Sequence, residues 1–283
     1  MTGVSVFPLT NPYFSMNAET SLLPLTRLSQ GQLNLLETCP RKFQHIYIDQ
    51  LGVPISPDQQ ERVTWGSRFH LLMQQRELGL PVDSLVEEDA QLQHYVTALV
   101  NAAPEILTPA PQTFRESEHC RTLNFQSYLL TVIYDLLIED ENSAQILDWK
   151  TYPQPKDRQW LAKDWQTRLY LYVMAETSDY APEQLSMSYW FVKSNPQPQS
   201  LKFTYDAVQH EKTRQDLTTL LAQLTGWLQR YQCDRIPFPQ IAESRNRCHD
   251  CSFGVRCQRT SESLPSRSQD LLPNLADIQE VSL

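Results

Sequence analysis

YDLLIEDENSAQILDWKTY, residues 134–152, reads as the end of one strand, a polar turn and a second strand. Asp135 and Asp148 each sit at an apolar run, as expected where a buried strand presents one carboxylate at its working face. Side chains at i and i+2 of a strand point the same way, so Asp148 and Lys150 are expected to face one spot. Paired carboxylates suit Mg²⁺ or Mn²⁺, hard cations that prefer oxygen ligands. Such an ion acidifies a bound water and offsets charge on a phosphate. A neighbouring lysine can position or deprotonate that water, or steady the charge that develops. D-x-K is a short pattern, so its meaning depends on the elements around it.

Outward from this pair the rhythm is mixed. FRESEHCRTL (114–123) and LSMSYWFVKS (185–194) read as strands, and LKFTYD (201–206) as a partner for the latter. WQTRLYLYVMAE (165–176) and DLTTLLAQLTGWLQRYQ (216–232) read as helices. Upstream, LSQGQLNLLETCPRKFQHIYI (28–48) opens with Ser29 and Gln32 at capping-box spacing and is interrupted at Pro40, beside Cys39. VTWGSRFHLLMQQREL (63–78) predicts a helix with Gly66 and His70 on one face, and residues 81–112 also look helical. These elements predict an α/β domain over 28–259, with its core at about 113–205. Residues 1–27 read as an arm and 260–283 as an aperiodic polar tail.

The 283 residues are 41% hydrophobic and 20% charged, which suits an ordinary folded domain. Glycine is scarce, and no phosphate-cradling Gly-rich loop of the P-loop or dinucleotide type is present. The first residues lack a signal peptide's basic and apolar regions, and no apolar run is long enough to span a membrane. A cytoplasmic protein without membrane partners is expected. The net charge of −9 argues against a protein that passively coats nucleic acid. It leaves room for an enzyme with a local basic path, to which Arg41, Lys42, Arg245, Arg247, Arg256 and Arg259 are candidates.

RCHDCSFGVRCQR (247–259) holds three of the six cysteines as C-x2-C-x5-C. In a reducing compartment such clustering points to a metal rather than to disulfides. Three thiolates are one short of the usual set for zinc or an iron–sulfur cluster, and ligand type alone leaves both open.

The ordered set LETCPRKF, GSRFH, YDLLIED, DWKTY and QTRLY, closed by C-x2-C-x5-C, resembles the PD-(D/E)XK nuclease superfamily from about Leu28 to Cys257. Within it, the set looks like the RecB-like iron–sulfur exonucleases, including the CRISPR-associated ones. The resemblance implies a restriction-endonuclease-like core, a mixed central sheet flanked by helices, with a helical N-terminal part and a C-terminal cysteine closure. It implies His70, Asp135, Asp148 and the Trp149 carbonyl as ligands of Mg²⁺ or Mn²⁺, and Lys150 as the catalytic lysine. Gln166 and Tyr170, four apart on one helix face, would line the site. Glu116 or Glu118 could add a further acid, and the sequence does not choose between them.

The same resemblance makes Cys39 the fourth ligand beside Cys248, Cys251 and Cys257, favours a 4Fe-4S cluster over zinc, and leaves Cys120 and Cys233 as packed residues. The implied activity is metal-dependent exonuclease cleavage of single-stranded DNA ends, in repair, recombination or CRISPR-type processing, alongside other DNA-processing proteins. A catalytically inactive nucleic-acid-binding or scaffold subunit on the same fold is the alternative. Two positions depart from the family: TVIYD lacks the glycine usual before the aspartate, and Tyr152 replaces a glycine after D-x-K-T.

Overall fold

The computed structural model describes residues 26–53, 55–82, 89–104, 112–152, 157–242, 247–248 and 251–259. The tail expected over 260–283, nearly all of the N-terminal arm, Arg245, and part of the stretch read as helical over 81–112 lie outside the described residues. Thr26 and Arg27, read as the end of the arm, belong instead to a short strand, β1 (Thr26–Leu28).

The chain enters through α1 (Gln30–Thr38), where Gln32 Oε1 accepts the Ser29 amide at 2.8 Å. Pro40 then starts a short helix, α2 (Pro40–Phe43), because proline lacks an amide to continue α1 but suits a first turn. A π-helical turn, Gln44–Ile48, follows it. α3 (Pro57–Glu77) starts behind the Ser56 cap, and α4 (Ala90–Ala102) behind Asp89. The sheet strands are β2 (Phe114–Phe125), β3 (Tyr128–Glu139), β4 (Ala144–Lys150), β5 (Leu185–Phe191) and β6 (Gln199–Thr204). Helices α5 (Arg158–Lys163) and α6 (Trp165–Glu176) carry the chain from β4 to β5, and α7 (Ala207–Asp234) follows β6.

β2 pairs with the whole length of β3, antiparallel, and so fills one of its edges. The other edge is shared. β1 takes Tyr128–Leu130 in parallel, and β4 takes Leu136–Glu139 antiparallel. Residues 131–135 lie between these two partners, at a fork in the sheet. β5 continues parallel to β4, and β6 closes the edge antiparallel.

Two cores form on the two faces. Leu137 and Ile146 pack with α1, α6 and α7, whereas Leu136 and Leu147 pack with Trp65 and Phe69 of α3 and with α4. α6 is buried almost all round, which explains its run of Leu, Tyr, Val and Met without a polar stripe. Cys120 and Cys233, expected as packed residues, are both exposed. Cys120 falls on the outward phase of edge strand β2, and Cys233 in the last turn of α7.

Candidate active site

Strand β3 changes phase at Asp135. Leu130, Val132 and Tyr134 face one core, then Leu136 faces the other and Leu137 returns to the first. Glu118 stands opposite Asp135 in the β2–β3 register, between the pairs Ser117–Leu136 and His119–Tyr134. Its φ is +53°, a left-handed backbone that a non-glycine residue adopts at a cost. The local twist at this rung is therefore what frees both acids from the regular alternation.

On the other edge of β3 the fork does the same work. β4 parts from β3 beyond Leu147, and the Asp135 side chain replaces the missing ladder bond: its Oδ2 accepts the Trp149 amide at 2.6 Å. Asp135 Oδ1 meets His70 Nδ1, from α3, at 3.2 Å. His70 reaches the strands because α3 lies close to them. A Cβ on Gly66, one turn before His70, would stand 3.1 Å from Thr151 Oγ1. One ligand atom each from His70, Glu118 and Asp135 lies within 4.8 Å of the others.

Asp148 and Lys150 share a side of β4 and form an ion pair, Nζ to Oδ1 at 2.6 Å. Gln166 bridges them. Its Oε1 accepts from Lys150 Nζ at 2.7 Å, and its Nε2 donates to Asp148 Oδ2. Gln166 is held in turn at the start of α6, where Asp164 caps the helix by accepting the Gln166 amide at 2.8 Å. Asn34 of α1 donates to that same Asp164 carboxylate at 2.9 Å. Tyr170, one turn on, is buried. Its carbonyl accepts the Tyr134 hydroxyl at 3.0 Å, so it supports the fork from beneath.

The electrostatics follow from this crowding. Burial pushes the Asp148 carboxyl up to about 6; Lys150 pulls it down, and Asp135 adds to the rise. Burial works against the Lys150 charge, but Asp148 and Asp135 outweigh it and keep the ammonium protonated. Burial also opposes a charged His70 ring, yet Asp135, Asp148 and Glu118 hold its pKa above the usual histidine value. Glu118 is raised by burial and by Asp135. These groups open into one cleft of about 1190 Å³, whose walls include His70, Glu118, Asp135, Asp148, Lys150 and Lys193. A smaller cavity across α6 is lined by Lys163, Arg168 and Lys212, of which Arg168 and Lys212 are already paired with Asp216.

The cleft thus gathers His70, Asp135, Asp148, Trp149, Lys150, Gln166 and Tyr170. It also favours Glu118 over Glu116, whose carboxylate is engaged by His119 at 2.6 Å outside the cleft. The sequence could not separate two acids two positions apart, because the deciding signal is a backbone twist with no sequence marker.

Cys39, Cys248, Cys251 and Cys257 line a second, small cavity together with Arg41 and Arg259, and all four are free of disulfides. Burial pushes the Cys257 thiol up; Arg41 opposes this, and the other three cysteines add to it. Sequence reasoning missed His45, a buried residue whose Nε2 is 3.7 Å from Cys257 Sγ and whose Nδ1 is 3.0 Å from Asp49 Oδ2.

A crystal structure from Eubacterium rectale described as a "Putative exonuclease" superposes with a TM-score of 0.50 and 11% identity, covering 91% of this chain and 96% of its own. The crystal structure of SSO0001 gives a TM-score of 0.35 and 14% identity, over 83% of this chain and 88% of its own. No curated protein matches the sequence. The model of the PD-(D/E)XK nuclease superfamily matches residues 27–258. The chain belongs to the PD-(D/E)XK nuclease superfamily.

Proposed function

We propose that this protein is a metal-dependent deoxyribonuclease that hydrolyses phosphodiester bonds as an exonuclease on single-stranded DNA ends, in repair, recombination or CRISPR-type processing. The observation that carries the reading is the convergence of His70, Glu118, Asp135, Asp148 and Lys150 on one cleft at the fork of the sheet. Like charges held close together are unfavourable, and Glu118 and Asp135 each bring an oxygen within 4.8 Å of the other. A bound cation reverses that penalty, so the donor set fits Mg²⁺ or Mn²⁺. Bound there, such an ion supplies an acidified water and neutralises phosphate charge.

His70, Glu118 and Asp135 would hold the ion. Asp148 contributes a carboxylate whose remaining lone pairs stay free beside its contacts to Lys150 and Gln166. The Trp149 carbonyl is the further ligand that the family pattern implies. Lys150, paired with Asp148, is placed to position the attacking water or to steady charge on the attacked phosphate. Gln166 fixes the lysine and the acid relative to each other.

The cysteine cavity offers four thiols and nearby arginines, a donor set that fits a 4Fe-4S cluster. Held by Cys39, Cys248, Cys251 and Cys257, the cluster would clasp the start of the domain to its end. It would close a loop of roughly 200 residues and restrict the unfolded chain accordingly.

The test is degradation of end-labelled single-stranded and duplex DNA with Mn²⁺, Mg²⁺ or chelator. Shortening of single strands from an end, stopped by chelator, is expected. Binding without cleavage under every metal condition would instead identify a catalytically inactive subunit.

A further inference from the structure

Lys193, like Arg62, is a cation of the cleft wall that the proposed chemistry leaves unused. β5 runs parallel to β4 with Phe191 beside Lys150, and the Val192 amide donates to the Lys150 carbonyl at 3.0 Å. The next residue, Lys193, therefore leaves the sheet at the same end as the reactive groups and lines the same cleft. Its Nζ sits 3.3 Å from the centroid of the Trp65 ring and 5.8 Å from that of Tyr95. Trp65 is itself fixed, stacked on Phe69 and edge-on to Tyr95, on the helix that carries His70.

The two cleft lysines differ in what balances them. Lys150 is paired with Asp148 at 2.6 Å. Lys193 has no carboxylate within ion-pair distance among the described residues, and the nearby Asp89 is taken by Arg68 at 3.1 Å. A ring face attracts a cation but does not satisfy its hydrogen-bonding protons. Lys193 thus lines the cleft with its ammonium held against the Trp65 face and no carboxylate within ion-pair distance among the described residues.

We propose that Lys193, positioned by Trp65, binds a non-bridging oxygen of one phosphate flanking the phosphate that is cut. This assigns a backbone subsite, and it rests on the nuclease reading above. Partial burial holds the Lys193 pKa below the usual lysine value, and Asp89 opposes this.

The experiment is anisotropy of a labelled oligothymidylate in chelator, titrated with salt, for the wild type, Lys193→Met and Lys193→Arg. Methionine keeps an apolar stem over Trp65 while removing the charge. Lys193→Met is expected to weaken binding about tenfold, the scale of one charge-assisted contact. The salt slope should fall by about 0.7, the value for one phosphate contact on a single strand. Lys193→Arg should retain both.

One neutral methylphosphonate, walked along the oligonucleotide, should weaken wild-type binding at a position where it costs Lys193→Met nothing further. Equal affinity and slope for Lys193→Met and wild type, with melting temperatures preserved, would overturn the assignment. So would a methylphosphonate profile that is the same in both. If the wild type cuts DNA and these tests fail, only the Lys193 subsite falls. If the wild type cuts nothing, the nuclease reading itself fails.

Discussion

Glu118 faces Asp135 across the β2–β3 ladder, each carboxylate within reach of His70, on a backbone twisted to φ +53° at Glu118. Opposed acids of this kind cost about 0.2–1 kcal/mol, and at Glu118 burial and Asp135 outweigh the relief that His70 gives. Glu118→Gln is therefore expected to raise the melting temperature in chelator by a degree or more and to shrink the gain produced by Mn²⁺. Thermal unfolding with and without the ion measures both. A Glu118→Gln variant with the full Mn²⁺ gain would remove Glu118 from the ligand set.

The pH dependence of metal binding has a definite sign. His70 holds its proton above the usual range, because its acidic neighbours outweigh the burial that opposes its charge. Asp148, pushed up by burial, releases its proton near about 6. Glu118 is raised as well, and a cation must displace each proton still held, so Mn²⁺ affinity should rise with pH and flatten once these groups are deprotonated. Each displaced proton adds up to about tenfold per pH unit. Calorimetry from about pH 5.5 to about pH 8.5 reads the slope. His70→Gln should lose one proton's share of it, and a flat profile for the wild type would contradict the ligand assignment.

Gly66 fixes how closely α3 approaches the end of β4. An added Cβ would stand 3.1 Å from Thr151 Oγ1, tighter than ordinary packing. Gly66→Val should displace His70 and weaken Mn²⁺ binding several-fold. Thr151→Ala, which removes the opposing atom, should restore part of that loss. The double-mutant cycle checks this, and strict additivity of the two changes would refute the steric account.

Gln166 joins Lys150 to Asp148 through hydrogen bonds with two charged groups. Each such bond is worth about 1.5–3 kcal/mol, so Gln166→Leu should slow cleavage at least about tenfold. Gln166→Glu keeps the acceptor for Lys150 but sets a carboxylate against Asp148, and should be at least as slow. Single-turnover rates distinguish these outcomes from a wild-type rate.

How much of this was legible in the sequence differs by element. Asp148 and Lys150 were readable because i and i+2 share a strand face whatever the surroundings, and the 2.6 Å contact realises it. His70 was readable from its spacing to Gly66, although the reason for the glycine emerged only with Thr151 opposite. Glu118 was not readable, since strict alternation treats Glu116 and Glu118 alike and only the left-handed rung separates them. β1 was missed because three residues carry no periodicity, and their strand exists only through pairing with β3. Lys193 lay in a stretch read as strand through Ser194, but the strand ends at Phe191 and Lys193 sits in the turn beyond, where its contact with Trp65 joins residues 128 positions apart. Pairings of that kind are long-range and leave no local pattern.

The proposed cysteine clasp makes its own prediction. Cys39 lies in the same cavity as Cys248, Cys251 and Cys257. Cys39→Ala should release iron as fully as Cys251→Ala, with loss of broad absorbance near about 400 nm in anaerobically purified protein. Full iron content in Cys39→Ala would break the pairing, and a colourless wild type holding zinc would replace the cluster.

The most direct test of the account is cleavage of labelled single-stranded DNA by Lys150→Ala in Mn²⁺, with folding checked by circular dichroism. Lys150 is the charge placed between Asp148 and Gln166 at the fork. The account predicts that cleavage is abolished while the fold and DNA binding persist. Mn²⁺-dependent degradation at the wild-type rate by the folded variant would contradict it.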